Sequence, residues 1–256
     1  MKVSTVHIRR ATFCVFVPTL ALVGVQSAFA FDLTRLWSVT GTGTAIKEMR
    51  NVEQFQAVSL YTGARVIIRQ GNADSVVVEA ENNVLPLISA HVDGGTLTVE
   101  DARHYKSPSA EVVITVRRLN GIATTATVAV TAEGLSSENL SLSMGGSSAI
   151  SLRAISVGKL RASLGGSSVL KISGVADDFF AELGGSSALR STEFAAKSVS
   201  VNGGGSAQAV VWATQSLRLS LSGSAGVSFF GVDSPTVATS GAAMVKRLGT
   251  APPKLQ

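Results

Sequence analysis

The sequence contains very little cysteine and histidine. Its one cysteine, Cys14, lies within the first thirty residues, which we predict are removed. Disulfides, thiolate metal sites and cysteine nucleophiles are therefore excluded from the rest of the chain. Beyond residue 30 the only histidines are His91 and His104, and their spacing is not that of a paired metal site.

Long apolar runs are also absent after the N-terminus. The first thirty residues hold basic residues at Lys2, Arg9 and Arg10, an apolar run over 11–25 and an A-x-A cleavage motif at 28–30. Pro18 interrupts that run, which is shorter than the ~20 residues of a membrane span. We predict that residues 1–30 are a cleaved signal peptide, that no transmembrane segment remains after cleavage, and that the protein is exported to the periplasm or the cell surface.

Excess charge of one sign is missing as well. The formal net charge is +5, but without the three basic residues of the signal the 22 basic residues become 19 against 17 acidic ones, a net of +2. That balance is too mild to predict a nucleic-acid partner.

A ten-residue phrase occurs six times between residues 145 and 249. It begins as Gly145-Gly146-Ser147-Ser148 and restarts after 20, 19, 20, 18 and 18 residues. Such a short period indicates a unit that buries its apolar face only by stacking on its neighbours, and it is too short for two helices.

Within each phrase the apolar residues alternate with polar ones, as Ile150 and Leu152 alternate with Ser151 and Arg153. This period of two is typical of a half-buried strand. A second alternating run precedes each glycine pair, and glycine permits a sharp bend between the two. We predict an all-β fold, a parallel β-helix with one coil per repeat.

The rest of the chain is divided around these coils. We predict a flexible lead-in over residues 31–50, a strand-rich and less regular N-terminal part of the solenoid over 51–118, regular coils over 119–249, and a tail over 250–256. Asp93-Gly94-Gly95 predicts a hairpin turn. Pro252 and Pro253 lack backbone donors, so the tail cannot extend a strand ladder.

The order of these motifs resembles the bacterial auto-transporter adhesin head GIN domain family. The resemblance rests on Phe55–Val58, Val66–Gly71, Ser75–Ala80, Asp93–Val99 and the glycine-serine repeats, and it covers most of residues 51–249. It implies a right-handed β-helix, an exported location and no established enzymatic role. An autotransporter also requires a C-terminal membrane barrel, which this sequence does not show.

Motifs of catalysis are scarce. No glycine pair continues as a P-loop, the aspartates of a calcium-binding β-roll are replaced by Ile150, Leu170 and Leu189, and no G-x-S-x-G elbow occurs. We therefore predict no catalytic, cofactor-binding or metal site. A carbohydrate-active lyase or hydrolase remains the alternative, and it would need paired carboxylates from among Asp177, Asp178, Glu182, Glu193 and Asp233.

One register suggests a binding face. In successive copies the seventh residue of the phrase is Ser151, Lys171, Arg190, Val210, Ser228 and Lys246. Stacked coils would align them, so Lys171 and Arg190, with Arg153 and Arg161 nearby, could form a basic strip for an anionic glycan or lipopolysaccharide. Trp212 would point outward and could stack on a sugar ring. Ordinary solubilising charge is the alternative interpretation.

The sequence thus favours a non-catalytic, adhesin-like binding or scaffolding protein of the bacterial envelope. Its partner would be a glycan, a surface or an envelope protein. Open ends of a β-helix are unpaired strand edges, so a homo-oligomer is a further expectation.

Overall fold

The computed structural model describes residues 38–253, and the predicted signal peptide lies outside them. Within residues 38–253 the regular structure consists of nineteen strands and one 3-10 turn, Leu85–Leu87. The strands are β1 (Val39–Thr40), β2 (Ala45–Arg50), β3 (Ala57–Tyr61), β4 (Arg65–Gln70), β5 (Ser75–Glu81), β6 (Ile88–Asp93), β7 (Thr96–Asp101), β8 (Tyr105–Lys106), β9 (Glu111–Val116), β10 (Gly121–Thr124), β11 (Ala129–Glu133), β12 (Ser136–Met144), β13 (Ala149–Leu164), β14 (Val169–Leu183), β15 (Ala188–Gly203), β16 (Gln208–Leu221), β17 (Gly226–Gly231), β18 (Thr236–Thr239) and β19 (Met244–Gly249).

The predicted β-solenoid is confirmed. Each coil has three segments, which in β13 are the first face (149–152), the second face (155–157) and the third face (160–164). The register with the next coil is interrupted around Arg153 and Ala154, and it also skips Gly158, so these positions form the corners between faces. Glycine-serine turns such as Gly145–Ser148 join the third face to the first.

Parallel strands stack on two of these faces through the whole molecule. On the first face the order is β9, β4, β11, β13, β14, β15, β16, β17, β19. On the third face it is β7, β3, β10, β12, β13, β14, β15, β16, β18.

The core lies inside the coils and follows the alternation in the sequence. Ile150, Leu152, Leu160 and Leu164 are each at most 2% exposed, while the residues that alternate with them, Ser151, Arg161 and Ser163, are partly or fully exposed. Burial of the apolar side chains on every layer supplies the main stabilisation, since each is worth about 1.5–3 kcal/mol. Phe179 and Phe194 add an edge-to-face aromatic pair with ring centroids 5.4 Å apart.

The N-terminal part joins the same stack by a different path. The chain enters at β3 and β4, runs outward through β5, β6, β7 and β9, and returns to place β10 and β11 on the other side of β3 and β4. The predicted hairpin is present, because β6 and β7 pair antiparallel across Gly94 and Gly95.

The structure corrects the expectation of a flexible lead-in for the part of 31–50 that it describes. Ala45–Arg50 forms β2, antiparallel to β5, and Val39–Thr40 pairs with Tyr105–Lys106. The Arg50 guanidinium adds to this pairing, because it donates hydrogen bonds to the carbonyl oxygens of Leu85 and Ile88. Charged side chains on this edge strand also discourage pairing with other chains.

At the other end, β18 and β19 pair with β16 and β17. Residues 250–253 of the predicted tail form no strand, and 254–256 lie outside the described residues. Between residues 38 and 253 no helix has the length and hydrophobicity that a membrane crossing requires.

Candidate functional site

The predicted column of outward residues on the first face exists. Ser151 is in register with Lys171, Lys171 with Arg190, and Arg190 with Val210. Neighbouring strands of a sheet are about 4.8 Å apart, so the two cationic side chains leave the surface side by side. Both are exposed.

Arg153 joins Lys171 and Arg190 at the corner between the first and second faces. The three cations line one depression of about 430 Å³, together with Ser173, Thr192 and Glu193. The chain bends here because the register of β13 and β14 shifts after Leu152 and Ala154 adopts a left-handed φ of 50°. The shift brings Arg153 beside the column of Lys171 and Arg190, and we call these three residues the basic group.

The basic group forms no ion pair within residues 38–253, although Glu133 is in register with Arg153 and Glu193 lines the same depression. Among the described residues, none of its three cations has a carboxylate within 4.0 Å. Like charges on adjacent strands repel, and this repulsion disfavours their juxtaposition in the absence of a counter-charge. Chemically, the group can bind carboxylate, sulfate or phosphate groups through charge-assisted hydrogen bonds.

Trp212 lies around the corner, on the second face. It sits between the buried Val211 and Ala213, so its ring points outward, but it is only half-exposed. It is in register with Ala195 and Phe230, and Ala195 with Val175, which is 52% exposed. We call Val175, Ala195, Trp212 and Phe230 the apolar column, and the sequence analysis identified only its tryptophan.

Arg161 does not belong to the predicted basic strip, and this part of the prediction is wrong. It lies on the third face, in register with Ser141 and Phe180, and its guanidinium carbon is 5.8 Å from the centroid of the Phe180 ring. The two faces are separated by two corners of the coil. Sequence proximity to Arg153 placed Arg161 near the strip, but proximity carries no information about which face a residue occupies.

The carboxylates that an enzyme would need are distributed over different corners and faces. Asp177 pairs with Lys197 at the surface, with 2.6 Å between Oδ1 and Nζ. Glu182 is on the third face, in register with Ser163 and Asn202, whereas Glu193 is at the corner after the first face. Within residues 38–253 no three histidine, cysteine, aspartate or glutamate side chains gather as a metal site.

The N-terminal part also contains a half-buried polar cluster that the sequence did not predict. Asp101 accepts hydrogen bonds from the Thr62 hydroxyl and the Gly63 amide, both at 2.7 Å, and from the Tyr105 hydroxyl at 3.3 Å. Desolvation by burial raises the pKa of Asp101 and also that of Tyr105. The bonds from Thr62 and Gly63 tie the end of β7 to the corner between β3 and β4, so the cluster acts as a structural clamp.

The similarity to known proteins agrees with this architecture. Residues 54–232 match the family described as "Putative auto-transporter adhesin, head GIN domain", and the chain belongs to that family. No functionally curated protein matches the sequence.

Solved structures of proteins from Bacteroides and Parabacteroides share the fold. A putative adhesin from Bacteroides fragilis has a TM-score of 0.77 at 19% identity, covering 82% of this chain and 100% of its own. A putative lipid binding protein from Parabacteroides distasonis has a TM-score of 0.68 at 16% identity, with 83% and 100% covered. A putative adhesin from Parabacteroides merdae has a TM-score of 0.65 at 15% identity, with 82% and 99% covered. The family and these structures are described by adhesion or lipid binding, not by an enzymatic activity.

Proposed function

We propose that this protein is an exported, non-catalytic binding protein of the bacterial envelope, and that its basic group holds an acidic surface glycan. The observation that carries the proposal is the convergence of Arg153, Lys171 and Arg190 in one open depression without ion-pair partners among the described residues. The adhesin descriptions of its family and of two structural neighbours support binding as the activity.

The shape of the surface favours an extended ligand over a small one. Lys171 and Arg190 follow each other along the stacking direction of the coils, so a polymer with repeated anionic groups can engage them in succession. Contacts of this kind are exposed, and they are screened over about 8 Å at physiological ionic strength. Affinity should therefore fall steeply as salt is added.

Direct binding to polygalacturonate, with neutral dextran as the comparison, tests the proposal. We expect the double variant Lys171→Gln/Arg190→Gln to bind polygalacturonate about tenfold more weakly, a loss of about 1.4 kcal/mol. Lys246→Gln is the matched control, because Lys246 stands in the same column beyond Val210 and Ser228. Failure of the unchanged protein to bind polygalacturonate or lipopolysaccharide, or equal binding by the double variant, would overturn the proposal.

The apolar column favours a second candidate, the binding of a lipid, and one structural neighbour is described as a lipid binding protein. Val175 is exposed and Ala195 and Trp212 are partly exposed, whereas Phe230 is only 7% exposed, so the accessible apolar surface of the column is that of Val175, Ala195 and Trp212. Contiguous apolar residues at a surface mark sites of interaction. Tryptophan fluorescence in the same titrations separates the two candidates. The sequence has two tryptophans, so the variant Trp37→Phe leaves Trp212 as the only source of the signal. A blue shift of its emission with phospholipid vesicles, and none with polygalacturonate, would favour the lipid.

A further inference from the structure

Arg161 takes part in a second cationic depression that the sequence analysis did not identify. This depression, of about 540 Å³, lies where the second face turns into the third, and Arg118, Lys159 and Arg161 line it. We call it the corner groove. Its cations come from separate parts of the chain, since Arg118 precedes β10, whereas Lys159 and Arg161 belong to β13.

The three cations of the corner groove are available to a ligand. Among the described residues none of them has a carboxylate within 4.0 Å, although Glu138 also lines the groove. By contrast, the adjacent Arg117 is bound to Asp74, with 3.0 Å between its Nη2 and Oδ2. The Phe180 ring orients the Arg161 guanidinium by a cation–π contact.

The remaining lining of the groove suits hydroxyl groups. Asn120 donates from Nδ2 to Oε1 of Gln56 at 2.8 Å. The side-chain carbonyl of Asn120 and the side-chain NH2 group of Gln56 can therefore bind a ligand. Asn139 and Ser141 complete the polar wall. Amides and hydroxyls both donate and accept hydrogen bonds. Combined with two guanidinium groups and an ammonium group, they match a sugar that carries an acidic substituent.

The two cationic sites face different directions. The basic group occupies the first face and its corner with the second face, in β13–β15, whereas the corner groove occupies the corner between the second and third faces, at β12 and β13. A polymer strand that runs along the stacking direction at one corner does not cover the other corner. One polymer strand that lies along the basic group therefore leaves the corner groove open to another strand.

From this arrangement we infer that the corner groove is a second site for an acidic sugar, and that one molecule of the protein cross-links two acidic polysaccharide strands. The inference rests on the proposed function of the basic group and adds a second, independent contact. Bivalent attachment strengthens adhesion without any new type of interaction, because the second binding event occurs at a high effective concentration.

Light scattering of polygalacturonate mixed with the full-length protein tests cross-linking separately from binding. We expect scattering to rise and then fall as the protein is increased, because excess protein saturates each strand singly. The variant Arg118→Gln/Arg161→Gln should lose about tenfold of the maximal scattering while its affinity for polygalacturonate falls less than about twofold. All these side chains are exposed, and unchanged thermal unfolding would confirm that the variant is folded.

Arg218→Gln is the matched control, because Arg218 occupies the same outward column as Arg161, three coils further along. It should scatter like the unchanged protein. The second site would be overturned if the unchanged protein bound polygalacturonate without scattering, or if the double variant scattered fully. Neither result would contradict the proposed role of the basic group. Absence of all binding to polygalacturonate and lipopolysaccharide would instead overturn the proposed function.

Discussion

The N-terminal part of the solenoid, β2–β9, and the regular coils, β10–β19, build the same two ladders by different routes. In the coils each turn of the chain lies on the turn before it. In the N-terminal part the chain starts in the middle of the stack, and β3 and β4 end up between strands that come later in sequence. In the regular coils the repeat itself directs each turn of the chain onto the turn before it. In the irregular N-terminal part, hairpins and side-chain contacts must determine where each strand pairs.

The two parts also restrict their backbones in different ways. In the coils, glycine residues stack directly on backbone atoms of the preceding coil. In the N-terminal part, glycines such as Gly94 occupy an open hairpin turn, where a Cβ would meet no heavy atom within 4 Å. The same residue type therefore has a packing role in one part and only a conformational role in the other.

The largest expected effect comes from exchanging glycine for alanine at these two kinds of position. Gly166 has a φ of +64°, and a Cβ there would lie 2.5 Å from the Gly146 carbonyl oxygen. We expect Gly166→Ala to lower the free energy of unfolding by about 4 kcal/mol, because backbone strain and a backbone clash combine. Gly94→Ala, with only its φ of +53° to oppose it, should cost about 1–2 kcal/mol. Denaturant titration measures both, and equal losses would contradict the comparison.

An intermediate effect is expected at the clamp of the N-terminal part. Asp101→Ala leaves the Thr62 hydroxyl and the Gly63 amide without their acceptor, which should cost about 2 kcal/mol of unfolding free energy. Because this loss acts on the corner between β3 and β4, hydrogen exchange should increase there before it increases in β13–β16. Uniform acceleration through both parts would show that they unfold as one unit.

The pH dependence of the unfolding free energy is a second test of the same clamp. Burial raises the pKa of Asp101 above its unfolded value near 3.8. The folded state therefore binds this proton more tightly, and the stabilisation is complete below that unfolded value and lost as the pH rises through the folded pKa. We expect Asp101→Asn to remove this part of the pH dependence, which unfolding measured from below the unfolded value of 3.8 up to neutral pH would reveal.

The smallest effect is expected for the serines inside the glycine-serine corners. The hydroxyls of Ser168 and Ser187 are buried without a hydrogen-bond partner, whereas Ser148 accepts from the Thr124 hydroxyl at 2.9 Å. Ser168→Ala should therefore leave stability unchanged or raise it by up to about 1 kcal/mol, while Ser148→Ala should lower it by about 1 kcal/mol. Thermal unfolding of the pair checks this, and a loss at Ser168 would indicate a buried water partner.

Much of the coiled part could be predicted from the sequence because the patterns that specify it involve residues close together in the chain. Alternation placed Ile150 and Leu152 inside, and the repeat spacing placed Lys171 beside Arg190, as the register confirms. The prediction of Arg161 on the same strip was wrong because the corners at Arg153 and Gly158 turn the chain twice between them. A corner of one or two residues has no pattern as clear as that of a strand.

The sites of the N-terminal part could not be predicted, since their residues are distant in the sequence. Asp101 binds residues of the β3–β4 corner, and the corner groove brings Gln56 and Arg118 next to Arg161. The segment Ala45–Arg50 looks like a polar linker, yet it pairs with β5 because the end of the core requires a cover.

By itself the sequence determined that this protein is a β-solenoid, because alternating apolar residues and recurring glycine pairs act over a few residues and repeat at one period. The tertiary structure alone decided the order in which β3, β7 and β10 stack and the grouping of cations into two separate sites. Those outcomes depend on contacts between residues far apart in the chain, where backbone hydrogen bonds are satisfied equally well by several partners and only the packing of the complete core selects one.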